Sequence, residues 1–191
     1  MDNTHYNKLQ ITETSTHRII LAALFAALTC VGTMIIKIPT PTLGYIHPGD
    51  GFVLLSGLLL GPLWGGLAAG FGSALSDLIG GYFIYVPATF VIKGLTAVVT
   101  YLAYKTLTKL LIKKSAVPSL IISGIAGEVV MVLGYFLFEI FMLAVVNKTN
   151  ITAGFIASLG GIIPNVIQGI VGVAIATALH PLLEKLKKES F

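Results

Sequence analysis

Tyr45, His47 and Asp50 lie in the stretch PTPTLGYIHPGDGFVLLSG, residues 39–57, between two long apolar runs. A phenol, an imidazole and a carboxylate this close together suit the capture of a polar ring: the phenol offers an apolar face with a polar tip, and the other two offer hydrogen bonds. More polar groups interrupt the apolar runs farther on: Asp77, Lys93, Glu128, Glu139, Asn165 and Gln168, with Tyr85 ahead of Lys93. A charge at bilayer depth is costly, so such residues face a cavity or a partner. Asn165 and Gln168, three apart, share one face of a helix. The chemistry this set can do is binding. There is no catalytic constellation: no Walker A sequence, no His-Glu-x-x-His, no Gly-x-Ser-x-Gly and no Cys/His cluster. No metal, cofactor or nucleic acid is expected.

Each residue also has a structural reading. Asp77 and Lys93 could form an ion pair between neighbouring helices, and Asp50 could cap a helix N-terminus. His47 could be a solvated loop residue, Glu128 a neutral buried acid, and Asn165 a partner for backbone groups freed by Pro164. Tyr82 and Tyr85 could be interfacial aromatics. The shared depth of several groups favours a site. The expected substrate-binding residues are therefore Tyr45, His47, Asp50, Asp77, Tyr85, Lys93, Glu139, Asn165 and Gln168.

The elements that must position them follow from composition. The chain has 191 residues, 55% hydrophobic and only 10% charged, with a mean hydropathy of +0.92. Soluble domains carry about 25% charged residues, so there is too little polar surface to cover a globule, and an all-α integral membrane protein is expected. The lone Cys30 sits in an apolar run and reads as a core residue. The pI near 9.2 arises from lysines at the ends of spans, which bears on topology rather than on nucleic acid. Residues 1–16 are polar and lack signal-peptide features.

Apolar runs occupy 18–36, 51–80, 83–104, 117–146 and 155–182. Gly61-Pro62 in the second run is a plausible turn between two short helices. With six helices, Lys8, Arg18, Lys105, Lys109, Lys113, Lys114, Lys185, Lys187 and Lys188 all fall on the cytoplasmic side, as the positive-inside rule requires; with five, the four-lysine connection faces outward. Six helices are expected at roughly 17–36, 49–61, 63–80, 86–106, 116–146 and 155–182, with both termini cytoplasmic. Residues 1–16 then form a cytosolic tail, 17–183 the transmembrane domain and 184–191 a basic cytosolic tail. Tyr45, His47 and Asp50 fall at the extracellular mouth of an outward-facing pocket. Residues 39–50 are expected to act as a lid over it, with Gly44, Gly49 and Gly51 as points of sharp turning. Ala22/Ala26 and Ala23/Ala27, together with Gly57/Gly61 and Gly66/Gly70, have the small-xxx-small spacing that lets membrane helices approach closely.

The segments GYIHPGD, LLLGPLWGGLAAGFGSALSDLIGGY, YVPATFVIKG and GGIIPNVIQGIVG, with the short second and third helices and the Ala-xxx-Ala first helix, resemble substrate-binding S components of energy-coupling factor (ECF) vitamin transporters over residues 17–183. The likeness is to the riboflavin-type subfamily, which also includes carriers proposed for vitamin B6 or hydroxymethylpyrimidine. It implies a prokaryotic plasma-membrane, multi-pass S-component fold without enzymatic activity. It also implies capture of a small water-soluble vitamin outside, and docking on a transmembrane coupling protein and two ATPase subunits. Ala22, Ala23, Ala26 and Ala27 would contact the coupling protein, and residues from about Lys37 to Asp50 would gate the vitamin. Gln168 stands where the riboflavin pattern has a lysine, which favours vitamin B6 or hydroxymethylpyrimidine over riboflavin. Lys93 could receive a carboxylate, which keeps pantothenate open. A stand-alone secondary carrier and an intramembrane enzyme using Asp77 or Glu128 are the alternatives from other classes; no internal repeat supports the carrier.

Overall fold

In the computed structural model, residues 3–110 and 116–189 are described, with side chains described for 16–110, 117–185. Among the described residues there are five helices: α1 (Asn3–Ile35), α2 (Asp50–Gly80), α3 (Val86–Leu110), α4 (Ala116–Val146) and α5 (Ile151–Glu189). A two-stranded antiparallel hairpin, β1 (Ile38–Pro39) and β2 (Tyr45–Ile46), joins α1 to α2 and pairs Ile38 with Ile46 and Pro39 with Tyr45. Each helix has a stretch long and apolar enough to cross a membrane; in α1 it is Thr16–Ile35 and in α5 Ile151–Lys185. Their outward faces are apolar, as at Phe71, Phe141 and Ile163, a surface that lipid can cover and water cannot.

The expected second and third helices form the single element α2, broken at Gly61. Gly61 has φ 83° and ψ −176°, a conformation that only glycine adopts without strain. Pro62 follows and cannot donate a backbone hydrogen bond. The Ser56 hydroxyl donates to the carbonyl of Gly65 at 2.9 Å. In an unbroken helix residues nine apart would be about 13 Å apart along the axis. The two arms of α2 therefore fold against each other.

α2 is the centre of the bundle and packs on α1, α3 and α5; α4 closes the ring between α3 and α5. Small residues set these contacts. A Cβ at Gly57 would overlap the carbonyl of Ala97, and one at Gly70 would press on Phe90. Of the expected small-residue pairs, Gly57, Gly66 and Gly70 are thus used for packing inside the chain, and Gly61 makes the break. One apolar cluster joins Phe25, Leu54, Leu55 and Leu59, toward the far end; a second joins Tyr85, Ile92, Met131, Tyr135 and Met142, toward the end that carries the hairpin.

Turn chemistry brings polar residues back to the hairpin end. Gly81, with φ 80°, stops α2, and the Tyr82 N–H returns to the Asp77 carbonyl at 2.9 Å. Asn150 caps α5: its side-chain carbonyl accepts from the Ala153 N–H at 2.9 Å. α1 begins earlier than the expected start at residue 17, and α5 extends beyond 155–182 at both ends. The side chains of Lys8, Lys113, Lys114, Lys187 and Lys188 lie outside the described residues.

Candidate ligand-binding cavity

The β-hairpin dips into the bundle. Its tip residue Thr42 is 1% exposed. The Thr42 hydroxyl donates to Glu139 Oε1 at 2.8 Å, and the Tyr85 hydroxyl donates to the Thr42 carbonyl at 2.6 Å and to Glu139 Oε1 at 3.3 Å. Pro41 and Thr42 rest against Gly160 and Gly161 of α5. Pro164, one turn on, has no N–H for the Gly160 carbonyl, so α5 is narrow and lacks one backbone hydrogen bond where the tip lodges.

Beside the hairpin is a cleft with about 410 Å³ of empty space, open solvent at its mouth included. The hairpin segment contributes Thr40, Gly44, Tyr45 and His47; α1 adds Thr33 and α2 adds Ser73 and Asp77. Tyr85 comes from the turn just ahead of α3 and Thr89 from its start, Tyr135 and Glu139 from α4, and Asn165 and Gln168 from α5. The Tyr45 hydroxyl donates to Asp77 Oδ1 at 2.7 Å, and its ring lies against Tyr82, with 4.5 Å between centroids. The Lys37 ammonium sits 4.4 Å from the Tyr45 ring centroid. Burial, and then the neighbouring Asp77 carboxyl, raise the pKa of the Tyr45 phenol above its ordinary value. Burial and Glu139 do the same for Tyr85. Both phenols stay protonated donors.

Behind the cleft lies a charged network. Asp50 and Lys93, both 0% exposed, form an ion pair at 2.5 Å. Gln168 Nε2–H donates to Asp50 Oδ2 at 2.7 Å, and Gln168 Oε1 accepts the His47 backbone N–H at 3.0 Å. Gln168 thereby ties the hairpin's return strand to the ion pair. Glu128 lies beside Asp50 across Gly172, and neither of its oxygens has a hydrogen-bond partner among the described residues.

Seven expected site residues line the cleft: Tyr45, His47, Asp77, Tyr85, Glu139, Asn165 and Gln168. Asp50 and Lys93 do not. Lys93 pairs with Asp50, not with Asp77, because the segment 36–49 descends far enough to start α2 inside the bundle. For the same reason Asp50 is not at the mouth; nor is it the N-cap, a position held by Gly49, which has no side chain to cap with. Tyr85 is buried rather than interfacial, and His47 is half-buried against the cleft rather than solvated. Gly49 has an ordinary helical conformation; a Cβ there would collide with Thr33, and one at Gly51 with Ile175. These two glycines permit close approach and not sharp turning. Thr33, Thr40, Ser73, Thr89 and Tyr135 line the cleft without having been expected. Tyr135 had a signal: it precedes Glu139 by four residues and so shares its helix face. Hydroxyls in apolar helices had none, since they can also bond to their own backbone.

The His47 Nδ1 accepts the Gly49 N–H at 3.1 Å. Burial is the largest cause that lowers the His47 pKa to about 3; Asp50 opposes it, and Lys93 and Lys37 add to it. The folded value lies below the ordinary one near 6.5, so the stabilisation is complete above about pH 6.5 and is lost as pH falls toward 3. The rate of loss has an upper limit of roughly 1.4 kcal/mol per pH unit. Thermal unfolding in detergent should show wild type losing stability between about pH 7 and pH 5 relative to His47→Gln, and parallel curves would place His47 in water.

The fold and the cleft define a multi-pass membrane protein with a polar cavity at one end of an apolar bundle. Residues 13–188 match the family model described as "ECF-type riboflavin transporter, S component", and the chain belongs to that family, one of transporter components rather than enzymes. A Pyrococcus woesei protein described as "Uncharacterized protein in gap 3'region" is 32% identical over 156 residues, covering 81% of this chain and 93% of that one. A solved structure titled "Structure and mechanism of the S component of a bacterial ECF transporter" shares the fold, with a TM-score of 0.61 at 22% identity, over 91% of this chain and 99% of that one.

Proposed function

We propose that this protein captures a small water-soluble vitamin in the cleft beneath the hairpin and delivers it by docking on an ATPase-driven ECF module in the cell membrane. The observation that carries this reading is the hairpin itself: its tip is held by Glu139 and Tyr85 at the cleft wall, and Gln168 holds its return strand. A cover joined to the walls of its own cavity can close over a ligand and slow its escape. The vitamin favoured by the cleft is vitamin B6 or hydroxymethylpyrimidine, a small ring within reach of three tyrosines. The family description favours riboflavin as the second reading. Pantothenate loses its support, because the ammonium that would receive its carboxylate is occupied by Asp50.

In this reading the two arms of α2 cross separately, giving six crossings and both termini in the cytoplasm. Lys105 and Lys109 then lie inside, in keeping with the positive-inside rule, and the hairpin lies outside. ATP would be hydrolysed by the partner subunits.

Mass spectrometry of the small molecule retained by the purified protein tests the vitamin directly. A spin label tests the cover. Thr42 is unsuitable, being buried, whereas its neighbour Leu43 is 54% exposed at φ 65°. The mobility of a label at position 43 should fall when the retained vitamin is added back to stripped protein; an unchanged signal at saturation would make the hairpin a fixed connection.

A further inference from the structure

Glu139 is 3% exposed and lines the cleft; its Oε1 is taken by Thr42 and Tyr85, but its Oε2 has no hydrogen-bond partner among the described residues. Thr33 Oγ1 and Ser73 Oγ, each on a 1% exposed residue of the cleft wall, are likewise unpartnered. A buried polar group without a partner is costly, and groups of this kind gathered on one wall are what a ligand would satisfy.

The charge of that wall is one-sided. It carries two carboxyl groups, Asp77 and Glu139, and no lysine or arginine. The nearby cations are engaged elsewhere: Lys93 is sealed with Asp50, and Lys37 lies over the Tyr45 and Tyr82 rings. His47 stays neutral near pH 7. The rings of Tyr45 and Tyr135 already take the Lys37 and Lys93 ammoniums, 4.4 and 5.2 Å from their centroids, so neither lysine is left over for an anionic ligand.

We infer that the cleft selects a neutral or cationic heteroaromatic ring rich in N–H or O–H donors, that the Glu139 carboxyl accepts from it, and that ligands bearing a carboxylate or phosphate are excluded. This rests on the vitamin-binding reading and narrows it to a substrate class.

The experiment is titration calorimetry on the full-length, ligand-stripped protein with probes in charge pairs. These are pyridoxine or pyridoxamine against 4-pyridoxate and pyridoxine 5′-phosphate, 4-amino-5-hydroxymethyl-2-methylpyrimidine against its phosphate, and riboflavin against riboflavin 5′-phosphate. The pyridoxine–pyridoxate pair separates charge from size. The uncharged or cationic member of a binding pair should be held at least about 100-fold more tightly. Glu139→Gln, checked for folding by size exclusion, should weaken that probe roughly 5- to 150-fold, as loss of a buried hydrogen bond to ligand does. Thr33→Val, which removes only one hydroxyl from the same wall, should weaken it in the same direction. An anionic member bound as tightly as its counterpart overturns the charge selection and leaves vitamin binding intact. Unchanged affinity in folded Glu139→Gln removes Glu139 as acceptor. Binding of no probe of either charge overturns the vitamin reading itself.

Discussion

Lys93→Met should destabilise the folded protein by about 3–5 kcal/mol, the cost of leaving one partner of a buried ion pair uncompensated. Lys93 and Asp50 are both 0% exposed and in contact at 2.5 Å. Methionine has nearly the length of lysine and can fill its channel, so the loss isolates charge from packing. The Asp50 carboxylate would keep only the Gln168 amide, with the Glu128 carboxyl still beside it. The damage should spread to the hairpin, because Gln168 holds both Asp50 and the His47 N–H. Thermal unfolding in detergent measures the first effect, and the mobility of a label at position 43 measures the second. The double variant Lys93→Met with Asp50→Asn, which removes both charges, should recover much of the loss. A single variant as stable as wild type would mean that the pair is hydrated.

Ala27→Trp should abolish uptake in cells that contain the ECF module, while vitamin affinity of the isolated protein changes less than about twofold. Small residues on an exposed helix face permit close approach of another helix, and an indole there holds the two apart. The two Ala-xxx-Ala pairs of α1 are not equivalent. Ala22 and Ala26 turn inward, against the cluster that contains Phe25, Leu54, Leu55 and Ala68; a Cβ on Gly72 would collide with the Ala26 carbonyl. Ala23 and Ala27 are exposed. Of the four residues expected to dock, two hold α1 to its own bundle and two remain for a partner. A tryptophan at Ala26 would therefore report on folding, and one at Ala27 on docking. Normal uptake by a folded Ala27→Trp protein, with the complex assembled, would remove this face of α1 from the interface.

The membrane class was determined by the sequence alone, because the apolar fraction leaves too little polar surface for any water-soluble arrangement. The helices were legible for the same reason: α3 and α4 start at the expected residues, 86 and 116, since a run of this length and hydropathy has no other stable form in lipid. Gly61-Pro62 announced the break in α2 through its own backbone chemistry. Seven of the nine expected site residues also line one cleft, because a polar side chain in an apolar run must find a cavity or a partner.

Which of those two fates each residue meets was decided only by tertiary structure. Asp50 and Lys93 are 43 positions apart, and no local pattern shows that the hairpin descends far enough to carry Asp50 down to Lys93. The same descent buries Thr42 against Glu139, 97 residues away, and makes Gln168, which also lines the cleft, the tie between hairpin and ion pair. Helical periodicity places residues on a face, but the depth of a connecting segment depends on which side chains it meets inside the bundle. Here those are the glycines at 160 and 161, the hydroxyl of Tyr85 and one carboxyl oxygen of Glu139.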